Sequence, residues 1–175
     1  NKKDFYNYPK NINVDVNKLK KLKVDFVFMP KTSEIYKIKR KKKIIMHNKS
    51  KILCGKHRRG HFYGVIDVVD RFLNIINPKY MFLGEKDYQQ LFLIKKYIKN
   101  RFDVLIISCK TIRDKNYVAL SSRNYLLSKK NLSTAGIIAK SLRLLKKKLN
   151  RNYKYIKKIN FIKKYLTNKY KIKIE

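Results

Sequence analysis

YMFLGEKDYQQLFLIKKYI, residues Tyr80 to Ile98, reads as a strand that turns at a glycine and continues as a helix. The apolar run Tyr80 to Leu83 meets Gly84 where the strand has to turn. The polar residues after it open a helix with Leu91, Ile94 and Ile98 on its inner face. A turn of this kind aims backbone N–H groups at a bound anion. Lys86 adds a point charge, and Asp87 and Gln90 share one face of the new helix. Further along, ALSSRN, residues Ala119 to Asn124, offers the hydroxyls of Ser121 and Ser122 and the donor fork of Arg123 to outer phosphates. Together the two segments predict a phosphate site formed where two loops converge.

Upstream of Tyr80, the residues Val65, Val68, Val69, Phe72, Leu73 and Ile76 mark a buried helical stripe that Asn77-Pro78 ends. Downstream, Val104 to Ser108 is a second all-apolar strand. Such strands alternating with helices predict an α/β fold whose parallel sheet is covered on both faces. Ligands of such sheets bind beyond the carboxyl ends of the strands, where Gly84 and the loop from Thr111 to Arg123 are expected.

Nearer the start, Tyr8-Pro9 opens an extended segment, and Val16, Leu19 and Leu22 recur at helical spacing up to Lys23. Asp25 to Met29 is β-prone and ended by Pro30. Lys31 to Gly60 reads as loop or irregular sheet, with one apolar interval at Ile44 to Met46. Toward the end, Ser128 caps a helix from Lys129 to about Leu149. The pattern breaks at Arg151 to Tyr153. Ile156, Ile159, Ile162, Tyr165 and Leu166 then form a further amphipathic helix, and Ile172 and Ile174 alternate as in a half-exposed strand. The expected division is a first domain over 1–150 and the beginning of a smaller one over 151–175.

A chain of 175 residues, 44% of them hydrophobic, can bury one substantial core. Its apolar runs are too short to span a bilayer and none resembles a signal peptide, so a cytoplasmic protein without a membrane partner is expected. Cys54 and Cys109 form no CxxC pair, which suits reduced thiols. The formal net charge of +35 would ordinarily suggest a polyanion partner. The excess is nearly all Lys, spread along the chain beside abundant Ile, Asn, Tyr and Phe. AT-biased coding DNA produces that composition equally well and is ranked first, so no nucleic-acid partner is expected. The run Lys37 to Lys43 reads as a solvated loop.

Arg58 and His61 stand immediately before a helix, where they either face an anion or serve as a surface cation and a packing residue. Cys54, His57 and His61 have a C-x2-H-x3-H spacing. It lacks a nearby fourth ligand, and Lys56, Arg58 and Arg59 would repel a dication, so Cys54 is read as a core or loop thiol. Glu85 and Asp87, two apart, face away from each other and make a poor acid/base pair.

On these residues the chain resembles the pantoate–β-alanine ligase family. The resemblance rests on YPK (Tyr8 to Lys10), VDFVFMP (Val24 to Pro30), EIY (Glu34 to Tyr36), RRGHFYGV (Arg58 to Val65), NIINP (Asn74 to Pro78), GEKDYQQL, TIR (Thr111 to Arg113) and ALSSRNYLLS (Ala119 to Ser128). It implies a Rossmann-like, doubly wound nucleotidyltransferase domain with a small α+β C-terminal domain, usually in a cytoplasmic homodimer. It also implies that Mg2+ and ATP activate pantoate to pantoyl adenylate with release of pyrophosphate, and that β-alanine then yields pantothenate and AMP.

Residue by residue, Gly84, Glu85, Lys86 and Asp87 match the ATP-binding segment, with Lys86 on phosphate and Gly84 and Asp87 near the ribose. Gln90 matches the pantoate-holding glutamine and Ile112 an adenine contact. Leu120, Ser121, Ser122 and Arg123 match the loop that closes on the phosphates, so Lys86, Ser121, Ser122 and Arg123 are the expected transition-state stabilisers. Arg58 and His61 match residues lining the site, and Tyr8 and Asp15 positions on a mobile flap. Arg59 and Lys37 replace prolines of the family, and Asn116-Tyr117 replaces an Asp-Gly turn ahead of the serine loop.

The chain begins on Asn1 without Met and stops inside an expected strand, which reads as a fragment. The family's His-x-Gly-His motif, with its catalytic histidine, and an upstream glutamine would precede Asn1. This stretch alone is therefore expected not to turn over. The rival readings are a basic RNA-binding module of related architecture and a decayed, inactive copy of the ligase.

Overall fold

The computed structural model describes residues 11–37, 43–151 and 156–172. The chain divides between Lys110 and Thr111 into two units. In the first, helix α1 (Ile12–Lys21) starts at Asn11, whose side-chain oxygen accepts the Val14 N–H at 3.2 Å. Val16 and Leu19 lie on the helix as their spacing predicts and are half-buried, whereas Leu22 falls on the C-cap and is exposed. Tyr8-Pro9 lies outside the described residues.

Asp25 to Met29 is a correction: it forms no strand, and Phe26 is 91% exposed. β propensity expresses itself only where a neighbouring strand supplies ladder partners, and none is present here among the described residues. The segment is tied down by Phe28, which sits edge-on to Phe72 at 6.2 Å. The region read as loop also contains short helical turns: α2 (Thr32–Ile35), a 3-10 turn (Asn48–Lys51) and α3 (Cys54–His57).

The helix expected before Asn77 is present, but of its expected stripe only Val69 and Leu73 are buried; Val65, Val68 and Phe72 are half-buried and Ile76 is 51% exposed. Helix α4 (His61–Ile76) buries Phe62, Ile66, Val69 and Leu73, an i, i+4, i+7, i+11 stripe. It ends at Asn77 in the left-handed region (φ 46), with the Asn77 N–H donated to the Leu73 carbonyl at 2.9 Å and Pro78 next in line. Strand β1 (Tyr80–Gly84), a 3-10 turn (Glu85–Asp87), helix α5 (Tyr88–Ile98) and strand β2 (Leu105–Cys109) then form one β-α-β unit. The strands run parallel, from Tyr80 opposite Leu105 to Gly84 opposite Cys109. Ile66, Val69 and Leu73 of α4 and Ile94, Tyr97 and Ile98 of α5 close with Ile44 over Met81, Leu83 and Ile106. Each fully buried Ile or Leu contributes about 1.5–3 kcal/mol.

The α/β unit with its parallel strands is the expected one, and the two faces of its sheet differ in exposure. Exposure alternates along β1, and Phe82 stands 67% open beside Tyr80 and, on β2, Leu105. Among the described residues of this unit, helices cover one face of the sheet.

In the second unit a tight hairpin (an Arg113–Ala119 antiparallel bridge) leads into a 3-10 turn (Ser122–Leu126). Ser128 caps the next helix, α6 (Lys129–Arg151), by accepting the Asn131 N–H at 3.2 Å. Helix α7 (Ile156–Tyr170) follows, and Leu145 of α6 and Leu166 of α7 are buried. The expected strand at Ile172 and Ile174 falls partly outside the described residues.

Candidate functional site

Gly84 closes β1 by pairing with Cys109, at extended dihedrals (φ −74, ψ 134) that any residue adopts. A Cβ added there meets nothing within 4 Å. The chain itself therefore does not require glycine at this turn, and the space above the backbone lies open to a ligand. Glu85, Lys86 and Asp87 follow in the 3-10 turn and are all exposed. Asp87 occupies the N-cap of α5, yet its carboxylate makes no capping hydrogen bond. An aspartate at this position ordinarily accepts from the helix N–H groups; here the carboxylate stays available beside Lys86. Gln90, three residues on, is half-buried in the first helical turn.

Arg58 is the C-cap of α3, and His61 is the first residue of α4 after Gly60, which holds a left-handed φ of 74. Burial pushes the His61 imidazole below its ordinary pKa. Arg58 adds to that effect and Asp87 opposes it. The turn before α4 and the turn before α5 thus bring Arg58 and Asp87 into electrostatic range of His61. His61 therefore favours its neutral form, and its ring packs on Phe62 with centroids 5.1 Å apart.

A residue that sequence reasoning passed over lies between Asp87 and Gln90. The Gln89 amide donates to the carbonyls of Ile52 (2.7 Å) and Lys49 (2.9 Å) and accepts the Cys54 N–H (3.1 Å). Its partners are backbone groups more than thirty positions away, so no local pattern marks it.

The second segment belongs to the second unit. The Leu120 N–H donates to the Ile112 carbonyl at 3.0 Å, which sets these two exposed apolar side chains across the hairpin from each other. The Asp114 carboxylate accepts the N–H groups of Asn116 (2.8 Å) and Val118 (2.9 Å), and Arg113 donates to the Tyr117 carbonyl at 3.0 Å. The turn thus forms without a glycine: Tyr117 takes φ 67, and the Arg143 guanidinium lies 4.1 Å from its ring centroid. The Ser121 hydroxyl accepts the Arg123 N–H at 3.3 Å and caps the 3-10 turn, retaining its own proton to donate. Ser122 is half-buried and Arg123 exposed. The flap positions divide, with Asp15 exposed in the first turn of α1 and Tyr8 outside the described residues.

A family model described as Pantoate-beta-alanine ligase matches residues 1–174. Among curated relatives, Pantothenate synthetase of Thermodesulfovibrio yellowstonii is 36% identical over 152 residues, 86% of this chain and 54% of that protein. The Pantothenate synthetase of Clostridium botulinum (Type A) is 41% identical over 143 residues, 81% of this chain and 51% of that one. Among solved structures, the pantoate-beta-alanine ligase from Francisella tularensis complexed with beta-gamma ATP and beta-alanine has a TM-score of 0.73 at 37% identity, covering 82% of this chain and 56% of that one. The pantothenate synthetase from Thermus thermophilus has a TM-score of 0.78 at 29% identity, covering 85% and 54%. The chain spans about half the length of the curated relatives it matches.

Proposed function

Because the chain belongs to the pantoate–β-alanine ligase family, we propose that the complete protein joins pantoate to β-alanine at the expense of ATP. In the first step a pantoate carboxylate oxygen attacks the α-phosphorus of Mg-ATP and pyrophosphate leaves. In the second the amine of β-alanine attacks the acyl carbon, AMP departs, and the amine gives up a proton as pantothenate forms. Negative charge grows on the α-phosphate and the departing pyrophosphate, so cations and N–H donors fixed around them favour the transition state over the bound substrate. The second step needs mainly proximity, since the acyl adenylate is already activated.

In this reading Lys86 holds a phosphate, the open space over Gly84 admits the nucleotide to the backbone, and the uncapped Asp87 carboxylate faces the ribose. Glu85 belongs to the same ATP-binding turn. Gln90 binds pantoate, Ile112 lies along the adenine, and Leu120, Ser121, Ser122 and Arg123 close on the phosphates, with Arg58 and His61 lining the site. The two loops must converge for this to work. The domain reading keeps 1–150 as the nucleotide- and pantoate-binding part and 151–175 as the start of a C-terminal domain. A cytoplasmic homodimer without nucleic-acid or membrane partners completes the proposal. Among the described residues no helix is long and apolar enough to cross a membrane. Neither an RNA-binding module nor a decayed copy draws support from the comparisons.

The observation that carries the reading is the exposed Gly84–Asp87 turn, with open space over Gly84 and an uncapped carboxylate at Asp87, inside the segment that the family model matches. The test is pyrophosphate release by the complete protein. Release that requires both pantoate and ATP, and that is lost in Lys86→Ala, supports the reading; release indifferent to pantoate ends it.

A further inference from the structure

We infer that Gln89 is a positioning residue, which holds the segment leading to Arg58 and His61 against the nucleotide-binding turn; this rests on the function proposed above. Gln89 sits in the first turn of α5, between the capping residue Asp87 and the first core residue Leu91. Its carboxamide has two N–H groups and one oxygen, and all are engaged with the backbone of 49–54: donated to Lys49 and Ile52, accepted from Cys54.

What the amide grips is unusual. The Ile52 carbonyl and the Cys54 N–H flank Leu53, which holds φ 51 and ψ −128, a region that side-chain-bearing residues rarely adopt. Leu53 is 69% exposed, so packing of its own side chain does not keep it there. The Gln89 amide instead meets the backbone on both sides of it, as a neighbouring strand would. The strain has a consequence for direction. Cys54 starts α3, which ends at Arg58; Gly60 turns the chain, and His61 begins α4. One side chain from the Gly84–Gln90 segment thereby sets where the stretch carrying Arg58 and His61 begins.

The Cys54 amide reports on the clamp directly, because its N–H is donated to Gln89. In this chain, Gln89→Ala is expected to speed hydrogen exchange at Cys54 by about tenfold or more, while exchange at Ile66 in the middle of α4 stays unchanged. Leu53→Gly removes the strain at its source, so Leu53→Gly/Gln89→Ala is expected to keep the segment folded. That double variant also serves as the second probe should Gln89→Ala alone fold poorly.

In the complete protein, Gln89→Ala is expected to lower kcat/KM for ATP by about tenfold or more, and the double variant to regain most of it. Cys54 exchange within about twofold of the parent overturns the clamp. A Gln89→Ala protein with a lowered Tm but unchanged kcat and KM overturns the positioning role and leaves a purely structural one. If the complete parent protein releases no pantoate-dependent pyrophosphate, the ligase reading fails on its own, and exchange at Cys54 alone then decides whether the clamp exists.

Discussion

Tyr117 occupies a backbone conformation that favours glycine, and the chain offsets that strain with contacts from three side chains. Asp114 accepts two N–H groups across the turn, Arg113 holds the Tyr117 carbonyl, and Arg143 covers the Tyr117 ring. A non-glycine residue at such a φ costs about 1–3 kcal/mol, and an exposed cation–π contact returns about 0.5–1 kcal/mol. Arg143→Ala should therefore destabilise the parent by about 0.5–1 kcal/mol in urea titration, yet change a Tyr117→Gly background by much less. Equal losses in both backgrounds would detach Arg143 from the turn. Gly84 presents the reverse case, since its dihedrals are ordinary and the space over it is empty. Gly84→Ala should leave Tm unchanged or slightly raised while raising KM for ATP in the complete protein. His61 gives the pH dependence. Its folded pKa lies below the ordinary 6.5, so the unfolded chain binds the proton more tightly. Stability should be complete above pH 6.5 and fall as pH drops from there through the lowered folded value; His61→Gln should remove that slope in denaturation curves taken across the range.

At the scale of elements, packing against a core decides which segments a sequence declares. Helices α4 and α5 were legible because their apolar spacing repeats over several turns, and β1 and β2 because short apolar runs between helices have few alternatives. Asp25 to Met29 shows the same composition without a partner strand, and stays unpaired. The short helical turns between Thr32 and His57 lie below the length at which periodicity can speak. Yet they are closely packed: a Cβ on Gly55 would stand 1.8 Å from the Ser50 carbonyl oxygen, a backbone atom that cannot swing aside. Gly55→Ala should consequently force the 3-10 turn and α3 apart, cost about 1–3 kcal/mol on the scale of overpacking, and speed exchange at Ser50, whose N–H is donated to His47. A Tm equal to the parent's would show that the turn relaxes freely. The site divides along similar lines. Lys86, Asp87 and Gln90 are readable because they crowd one turn, whereas Gln89 acts through carbonyls and an N–H supplied by a distant stretch and leaves no trace in its own neighbourhood.

For the whole molecule, charge is the dominant feature that the fold does not resolve. Lys and Arg number 46 against 11 Asp and Glu, so most cations have no acid to pair with. The ion pair between Arg71 and Asp67 on α4 is a local exception, reinforced by donation from Arg71 to the Ile35 carbonyl at 3.2 Å. A chain with so large an excess of one sign repels itself more when compact than when unfolded, and salt screens that repulsion over a Debye length of about 10 Å at 0.1 M. Were the charge neutralised by well-placed internal pairs, added salt would weaken them and lower stability. The excess points the other way: Tm should rise as NaCl is increased from about 20 to about 200 mM, with most of the gain at the low end where screening changes fastest. A Tm that falls over this range would mean that paired charges outweigh the repulsion. If screening of self-repulsion alone is at work, the rise should be reproduced by KCl at equal ionic strength. An extra gain confined to phosphate-bearing anions would instead mark occupation of the Gly84–Asp87 turn, and should vanish in Lys86→Ala while the NaCl response remains.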